Sequence, residues 1–161
     1  MQGNSNYVAA KAGLLGLVAA LALEGGDFGI KANALLPFAK SMITVDSPAT
    51  AVPAPDAARN VAIQNELGNR ATFSSVAAAT LYLASDQCRI SGQSISAVAG
   101  RYARSYRVVT DGWLSPDGHA SPEDVRDNIA SVLDSSAATE MNSMTEEFAQ
   151  VLDRIKSAKL T

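Results

Sequence analysis

Cysteine, histidine and aromatic residues are scarce in this chain, and each shortage removes a class of function. The single cysteine, Cys88, has no partner for an internal disulfide, and the single histidine, His119, stands in a turn-rich loop with no second group at metal or triad spacing. The reading is therefore no metal, a solvated loop histidine and a buried thiol in a reducing compartment, which places the chain in the cytoplasm. No basic segment followed by an apolar core opens the sequence, so no signal peptide is read, and the terminal Lys-Leu-Thr is not the peroxisomal Ser-Lys-Leu signal. The longest apolar run, Leu14 to Leu23, is interrupted by Gly16 and falls short of the roughly 20 residues that span a bilayer. An excess of positive charge is missing too: a net charge of −3 and a pI near 5.1 argue against nucleic acid or a membrane surface as the main partner. What is present, 47% hydrophobic and 18% charged residues in a chain of 161, is the composition of a folded soluble domain, which argues against disorder throughout.

The most informative stretch is NSNYVAAKAGLLGLVAALALEGGDFGIKANALL, from Asn4 to Leu36. Asn4, Ser5 and Asn6 are credible helix caps and Gly25-Gly26 is a natural stop, so the spacing predicts a helix from Tyr7 to Glu24. Tyr7 and Lys11 are four residues apart and share one face of it. An ammonium beside a phenol stabilises the phenolate, and such a pair can exchange protons near neutrality. By itself the pair is weak, because a helix with one exposed tyrosine gives the same pattern. Ala9, Ala10, Ala12, Gly13 and Gly16 leave little side chain on part of the helix, which permits close approach of another helix or a sheet. After a turn at 27–29, Ile30, Ala32, Ala34 and Leu36 alternate with other residues until Pro37, which reads as a strand ended by proline.

The segment from Phe38 to Asn69 is irregular, carrying Pro48, Pro53 and Pro55, with room for a short helix over Asp56 to Leu67. A helix is predicted over Phe73 to Ser85, capped by Thr72 or Ser74, with Tyr82 as a packing residue. Gln93 to Gly100 reads as a strand, and Arg101 to Thr110 as a second extended piece. Arg101, Arg104 and Arg107 form either a solvated face or a clamp for phosphate groups. Asp111-Gly112 and Asp117-Gly118 are turn formers, and Trp113 is a packing anchor. Ser121-Pro122-Glu123-Asp124 starts a helix with Val125, Ile129, Val132 and Leu133 inward. A Ser143-x-x-Glu146 capping box starts the last one, with Phe148, Val151, Leu152 and Ile155 on one face.

Taken together, Tyr7-x-x-x-Lys11, the small residues after it, the Ile30-to-Pro37 strand and the Leu-Tyr-Leu-Ala-Ser-Asp and Ile-Ser-Gly-Gln segments resemble the second half of a short-chain dehydrogenase/reductase. The later Gly-Arg-x-Ala-Arg and Ser-Pro-Glu-x-Val stretches are similar to the (3R)-hydroxyacyl-CoA dehydrogenase domains of multifunctional enzyme type 2 and its bacterial relatives. The resemblance implies an α/β fold, the C-terminal half of a doubly wound Rossmann-like parallel sheet (its last two strands with flanking helices) plus a helical C-terminal extension. Residues 1–113 would form the Rossmann-like part and 114–161 the extension. It implies an NAD- or NADP-dependent oxidoreductase of fatty acid metabolism, interconverting a hydroxyl and a ketone on a small substrate such as a 3-hydroxyacyl-CoA. Tyr7 would be the acid/base and Lys11 would bind the ribose. Pro37, Phe38, Ala39 and Thr44 would line the nicotinamide, although Phe38 stands where the family has glycine. The helix from Tyr7 to Glu24 would form a homodimer interface.

The family's catalytic serine, about a dozen residues before the tyrosine, would precede Met1, and no strand-linked glycine-rich turn is present. Most of the cofactor site is therefore absent, and the expectation is a fragment that binds NAD(P)H weakly or not at all, with Met1 an internal methionine of a longer reading frame. A catalytically inactive remnant that associates through the Tyr7-to-Glu24 helix is the alternative. Either way, strands that have lost a neighbour predict an oligomeric, aggregation-prone or partly molten isolated chain.

Overall fold

The computed structural model describes residues 5–39, 57–141 and 143–158, in two compact units, Met1–Ser105 and Tyr106–Thr161. The first unit opens with α1, Ser5–Gly25, one or two residues longer at each end than the caps predict. Its end is steric as well as conformational: a Cβ on Gly25 would stand 2.9 Å from Ile30 Cβ and 3.2 Å from the Ile30 carbonyl oxygen. A 3-10 turn, Gly26–Phe28, then reverses the chain, ending at Gly29 with φ of 69°, a conformation that glycine adopts without strain. Leu14, Leu17, Leu21 and Leu23 are all exposed on α1, so apolar residues ring the helix, the composition of a helix that is covered on several sides. By length and composition alone the segment Ser5–Phe28 is long and apolar enough to cross a membrane. This corrects the reading taken from the run Leu14 to Leu23, because Val8, Ala9, Ala10 and Ala12 extend the apolar character toward the helix start.

Strand β1, Ala34–Phe38, pairs in parallel with β2, Ser94–Val98. Between them lie α2, Ala57–Gly68, and α3, Phe73–Leu83, whose N-cap is Thr72, with Thr72 Oγ1 accepting from Ser75 N at 3.3 Å. Strand β3, Arg101–Ser105, returns antiparallel to β2, giving the order β1-β2-β3. The connecting turn uses Gly100 at φ of 84°. The Tyr102 hydroxyl donates to the Ser75 carbonyl at 2.6 Å, fastening β3 to α3. The small core of this unit sits there, with Ala71, Ala79, Cys88 and Ala97 buried.

Two expectations change at this sheet. Proline does not end the first strand: Pro37 lies inside β1, opposite Ala97. Alternation explains why. The Ala34 N–H donates to the Gln93 carbonyl, so Ala34, Leu36 and Phe38 face β2 while the missing N–H of Pro37 falls on the side that pairs with no strand among the described residues. The extended piece from Arg101 to Thr110 is also divided: Val108–Thr110 forms β4 of the second unit, paired antiparallel with β5, Ala138–Glu140.

In the second unit the Ser121 cap forms in full, with Asp124 N donating to Ser121 Oγ at 3.1 Å and Ser121 N donating to Asp124 Oδ2 at 2.9 Å. The helix it starts is short: α4, Pro122–Asp127, is followed by α5, Ile129–Leu133. Asn128 divides them, because its side-chain amide bonds the Asp124 carbonyl at 2.9 Å beside its own backbone N–H. Val125, Ile129 and Leu133 are exposed rather than inward, and Val132 is half-buried. Helix α6, Met144–Ala158, begins at Ser143, whose Oγ accepts from Glu146 N at 3.3 Å. Gly112 and Gly118 turn with φ of 62° and 79°, as the two Asp-Gly pairs predict.

Candidate active site

Tyr7 occupies the first turn of α1, where its backbone N–H is held by Asn6 Oδ1 at 2.8 Å. One turn later Lys11 folds back so that its Nζ lies 5.5 Å from the centroid of the Tyr7 ring, within the range of a cation–π contact. The two side chains thus share one face and one environment, as four-residue spacing requires. Both are exposed, so the phenol oxygen and the ammonium are open to a ligand.

Pro37, Phe38 and Ala39 follow one another at the carboxyl end of β1, with Phe38 and Ala39 half-buried and Pro37 exposed. Thr44 lies outside the described residues. The donor set suits part of a dinucleotide: a hydroxyl and an ammonium match ribose hydroxyl groups. A pyrophosphate cradle needs a glycine turn opening onto a helix N-terminus, whereas the glycines of α1 with open space beside them, Gly13 and Gly16, lie in mid-helix. Among the described residues, Tyr7 and Lys11 thus offer groups that would suit the ribose end of such a cofactor.

Arg101 and Arg104 do not share one face of the sheet. On a strand successive side chains alternate, so Arg101 and Arg104 of β3 fall on opposite faces, Arg104 donating through Nε to Gln93 Oε1 at 2.6 Å. Arg107 belongs to the second unit. His119 is exposed, its backbone N–H bonded to Asp117 Oδ1 at 3.0 Å. Within the second unit a cleft is lined by Trp113, Leu114, Pro116, Gln150, Arg154 and Ile155, but the Arg154 guanidinium is engaged with the Asp111 and Gly112 carbonyls.

One positioning group escapes sequence reasoning altogether. The Asn33 side chain donates to the Ile90 carbonyl at 2.9 Å and accepts from Gln93 N at 3.0 Å. Ala32 N donates to Ser91 Oγ at 3.2 Å, and Gly92 N to the Ala32 carbonyl at 2.7 Å. This clasp sets the register of β1 on β2, and with it the place of Pro37 to Ala39. A polar residue at an otherwise apolar strand start is the only local signal.

Comparison with known proteins identifies the family. A family model described as enoyl-(acyl carrier protein) reductase matches residues 1–101. The peroxisomal hydratase-dehydrogenase-epimerase of Saccharomyces cerevisiae is 28% identical over 151 residues, covering 90% of this chain and 15% of the yeast protein. The acetoacetyl-CoA reductase of Rhizobium meliloti is 39% identical over 103 residues, covering 62% of this chain and 40% of the reductase. Among solved structures, full-length peroxisomal multifunctional enzyme type 2 from Drosophila melanogaster superposes with a TM-score of 0.69 at 26% identity, over 94% of this chain and 25% of that one. The chain spans less than half the length of each of these relatives. With its parallel strands flanked by helices and its Tyr7–Lys11 helix, it belongs to the short-chain dehydrogenase/reductase family and is similar there to multifunctional enzyme type 2.

Proposed function

We propose that this chain is the C-terminal half of an NAD(P)-dependent oxidoreductase that interconverts a hydroxyl and a ketone on a 3-hydroxyacyl-CoA-like substrate, with Tyr7 as the acid/base. The observation that carries this reading is the placement of the Lys11 ammonium 5.5 Å from the Tyr7 ring centre on the helix of a family-matching segment. The names of the relatives, an acetoacetyl-CoA reductase and two multifunctional peroxisomal enzymes, support the substrate class. A bound nicotinamide would supply or accept the hydride. The Tyr7 phenolate would take the carbinol proton as the ketone forms, and the resulting phenol would return it to the carbonyl oxygen in the reverse direction. Lys11 would hold the ribose hydroxyls, and Pro37, Phe38, Ala39 and Thr44 would face the nicotinamide. The buried free thiol of Cys88 supports placing the protein in the reducing cytoplasm.

The test uses a longer form in which the glycine-rich first half precedes this chain. Tyr7→Phe should lower NAD(P)-linked turnover of a 3-hydroxyacyl-CoA by about 10²–10⁴-fold, with the fold unchanged by circular dichroism. Full activity of that variant would reject Tyr7 as the acid/base. The 161-residue chain alone should quench or shift NADH and NADPH fluorescence weakly or not at all, and saturable micromolar binding would contradict this.

A second reading is favoured by one observation: Leu14, Leu17, Leu21 and Leu23 lie open along α1. In it the chain is catalytically inactive and associates through that helix with itself or an intact homologue. Sedimentation separates the readings, since a concentration-independent monomer would count against association.

A further inference from the structure

Gln93 stands one residue outside both ladders of the first sheet. The pairing of β1 with β2 begins at Ala34 and Ser94, and that of β2 with β3 ends at Ser94 and Ser105. Ladder register therefore does not place Gln93, yet each of its four polar groups has a partner. Its N–H donates to Asn33 Oδ1 at 3.0 Å and its carbonyl accepts from Ala34 N at 2.8 Å, both on the β1 side. Its Nε2 donates to the Ser91 carbonyl at 3.2 Å, and its Oε1 accepts from Arg104 Nε of β3 at 2.6 Å.

The strand register explains how Arg104 reaches so far. Arg104 lies opposite Ile95, and Gln93, two residues before Ile95, points to the same face. The contact is a diagonal one, within the span of a long side chain. The Gln93 amide has one orientation that satisfies both ends: with Nε2 given to a carbonyl, the oxygen must meet a donor, and a guanidinium is a donor that keeps its charge at every working pH. Side chains thus continue the sheet beyond its ladders, Asn33 on one flank of Gln93 and Arg104 on the other. Alignment at this point matters downstream, because a slip of one residue would turn every side chain of β1 to the opposite face, Pro37 and Phe38 included.

Resting on the reading of this chain as a dehydrogenase half, we propose that Arg104 is a positioning residue for the nicotinamide end of the site. By holding Gln93 it fixes the backbone on which Asn33 and Ala34 align β1, and so the way Pro37, Phe38 and Ala39 are presented to the cofactor.

The experiment has two arms. In the 161-residue chain, Arg104→Met keeps an aliphatic stem and removes the donor. Amide exchange read by NMR should accelerate about three- to tenfold at Gln93 and Ala34, which Arg104 does not touch through their own N–H groups, while the amides of α3 keep their protection. Arg104→Lys retains a charged donor and should restore part of the protection. Added to Asn33→Ala, Arg104→Met should have little further effect on Gln93, because the two act through one residue. In the longer form carrying the glycine-rich first half, Arg104→Met should raise KM for NADH or NADPH about three- to tenfold with kcat within about twofold, the signature of weakened binding with unaltered chemistry, and Arg104→Lys should bring KM back toward its original value. Unchanged exchange at Gln93 and Ala34, acceleration spread equally over α3, additive effects of the two substitutions, or an unmoved KM would each overturn the proposal. Tyr7→Phe separates it from the catalytic reading: turnover should fall in that variant while exchange at Gln93 and Ala34 stays as it was. Full activity of Tyr7→Phe would defeat the acid/base assignment and leave the exchange arm to decide the alignment by Arg104.

Discussion

Replacing Asn33 with alanine tests whether the clasp between residues 32–34 and 90–93 holds the sheet together. Two hydrogen bonds to the backbone disappear, from Asn33 Nδ2 to the Ile90 carbonyl at 2.9 Å and from Gln93 N to Asn33 Oδ1 at 3.0 Å, together with a weak one from Nδ2 to Cys88 Sγ at 3.9 Å, in a part-buried place. A net worth of about 1 kcal/mol for each backbone bond, with a small further penalty for two backbone groups that water reaches only partly, gives a loss of about 2–3 kcal/mol. Urea unfolding followed by circular dichroism should show a lower midpoint at unchanged slope, the signature of a stability change in an unaltered fold. Amide exchange at Gln93 should accelerate more than exchange in α3, because the lost bond is its own. Asn33→Asp retains the acceptor for Gln93 but sets a carboxylate oxygen against the Ile90 carbonyl, so its loss at neutral pH should be at least as large. A cost below about 0.5 kcal/mol for Asn33→Ala, the ordinary range of a surface change, would refute the clasp as a support of β1.

Further expectations concern the turns and caps. Gly25→Ala should be more damaging than Gly29→Ala, since the first forces a Cβ to within 2.9 Å of Ile30 while the second has open space and meets only the strain of φ near 69°, about 1 kcal/mol; thermal melts of the two variants rank them. Tyr102→Phe removes the 2.6 Å bond to the Ser75 carbonyl at an exposed site and should cost about 0.5–1 kcal/mol, read from the urea midpoint. Two bonds from Ser121, side chain and backbone, hold the Asp124 carboxyl below its ordinary value. A depressed carboxylate stabilises the fold fully above the unfolded value of about 3.9 and loses that contribution as pH falls through the lower folded value, so α4 should fray only in acid, followed at the Ser121 amide by NMR. Asp124→Asn should remove that acid dependence.

Much of the architecture was legible locally. Ser5 to Gly25 form a helix because small and straight-chain residues run between polar caps and a double glycine. Thr72, Ser121 and Ser143 cap the helices they precede, since a cap needs only a side-chain oxygen and an amide two or three residues on. Tyr7 and Lys11 meet for the same reason, their contact being set by one helical turn. The burial of Cys88 follows from the residue type in a chain with no partner for it.

Other features depend on residues far apart in the chain. Pro37 sits within a strand because pairing with β2 turns its missing N–H away from that strand, and nothing near Pro37 in the sequence reports which side that is. Arg101 and Arg104 part because β3 is a true strand, and Val108 to Thr110 leave it because their pairing partners lie much further along the chain, at Ala138 to Glu140. Asn33 acts on residues as far away as Ile90 and Gln93. Periodicity, capping and turn chemistry, which act within a few residues, are thus what the amino-acid order settled, together with the Tyr7–Lys11 pair. Strand direction and the clasp that aligns β1 were decided by tertiary pairing, because a backbone hydrogen bond between distant segments has no local residue preference strong enough to announce it.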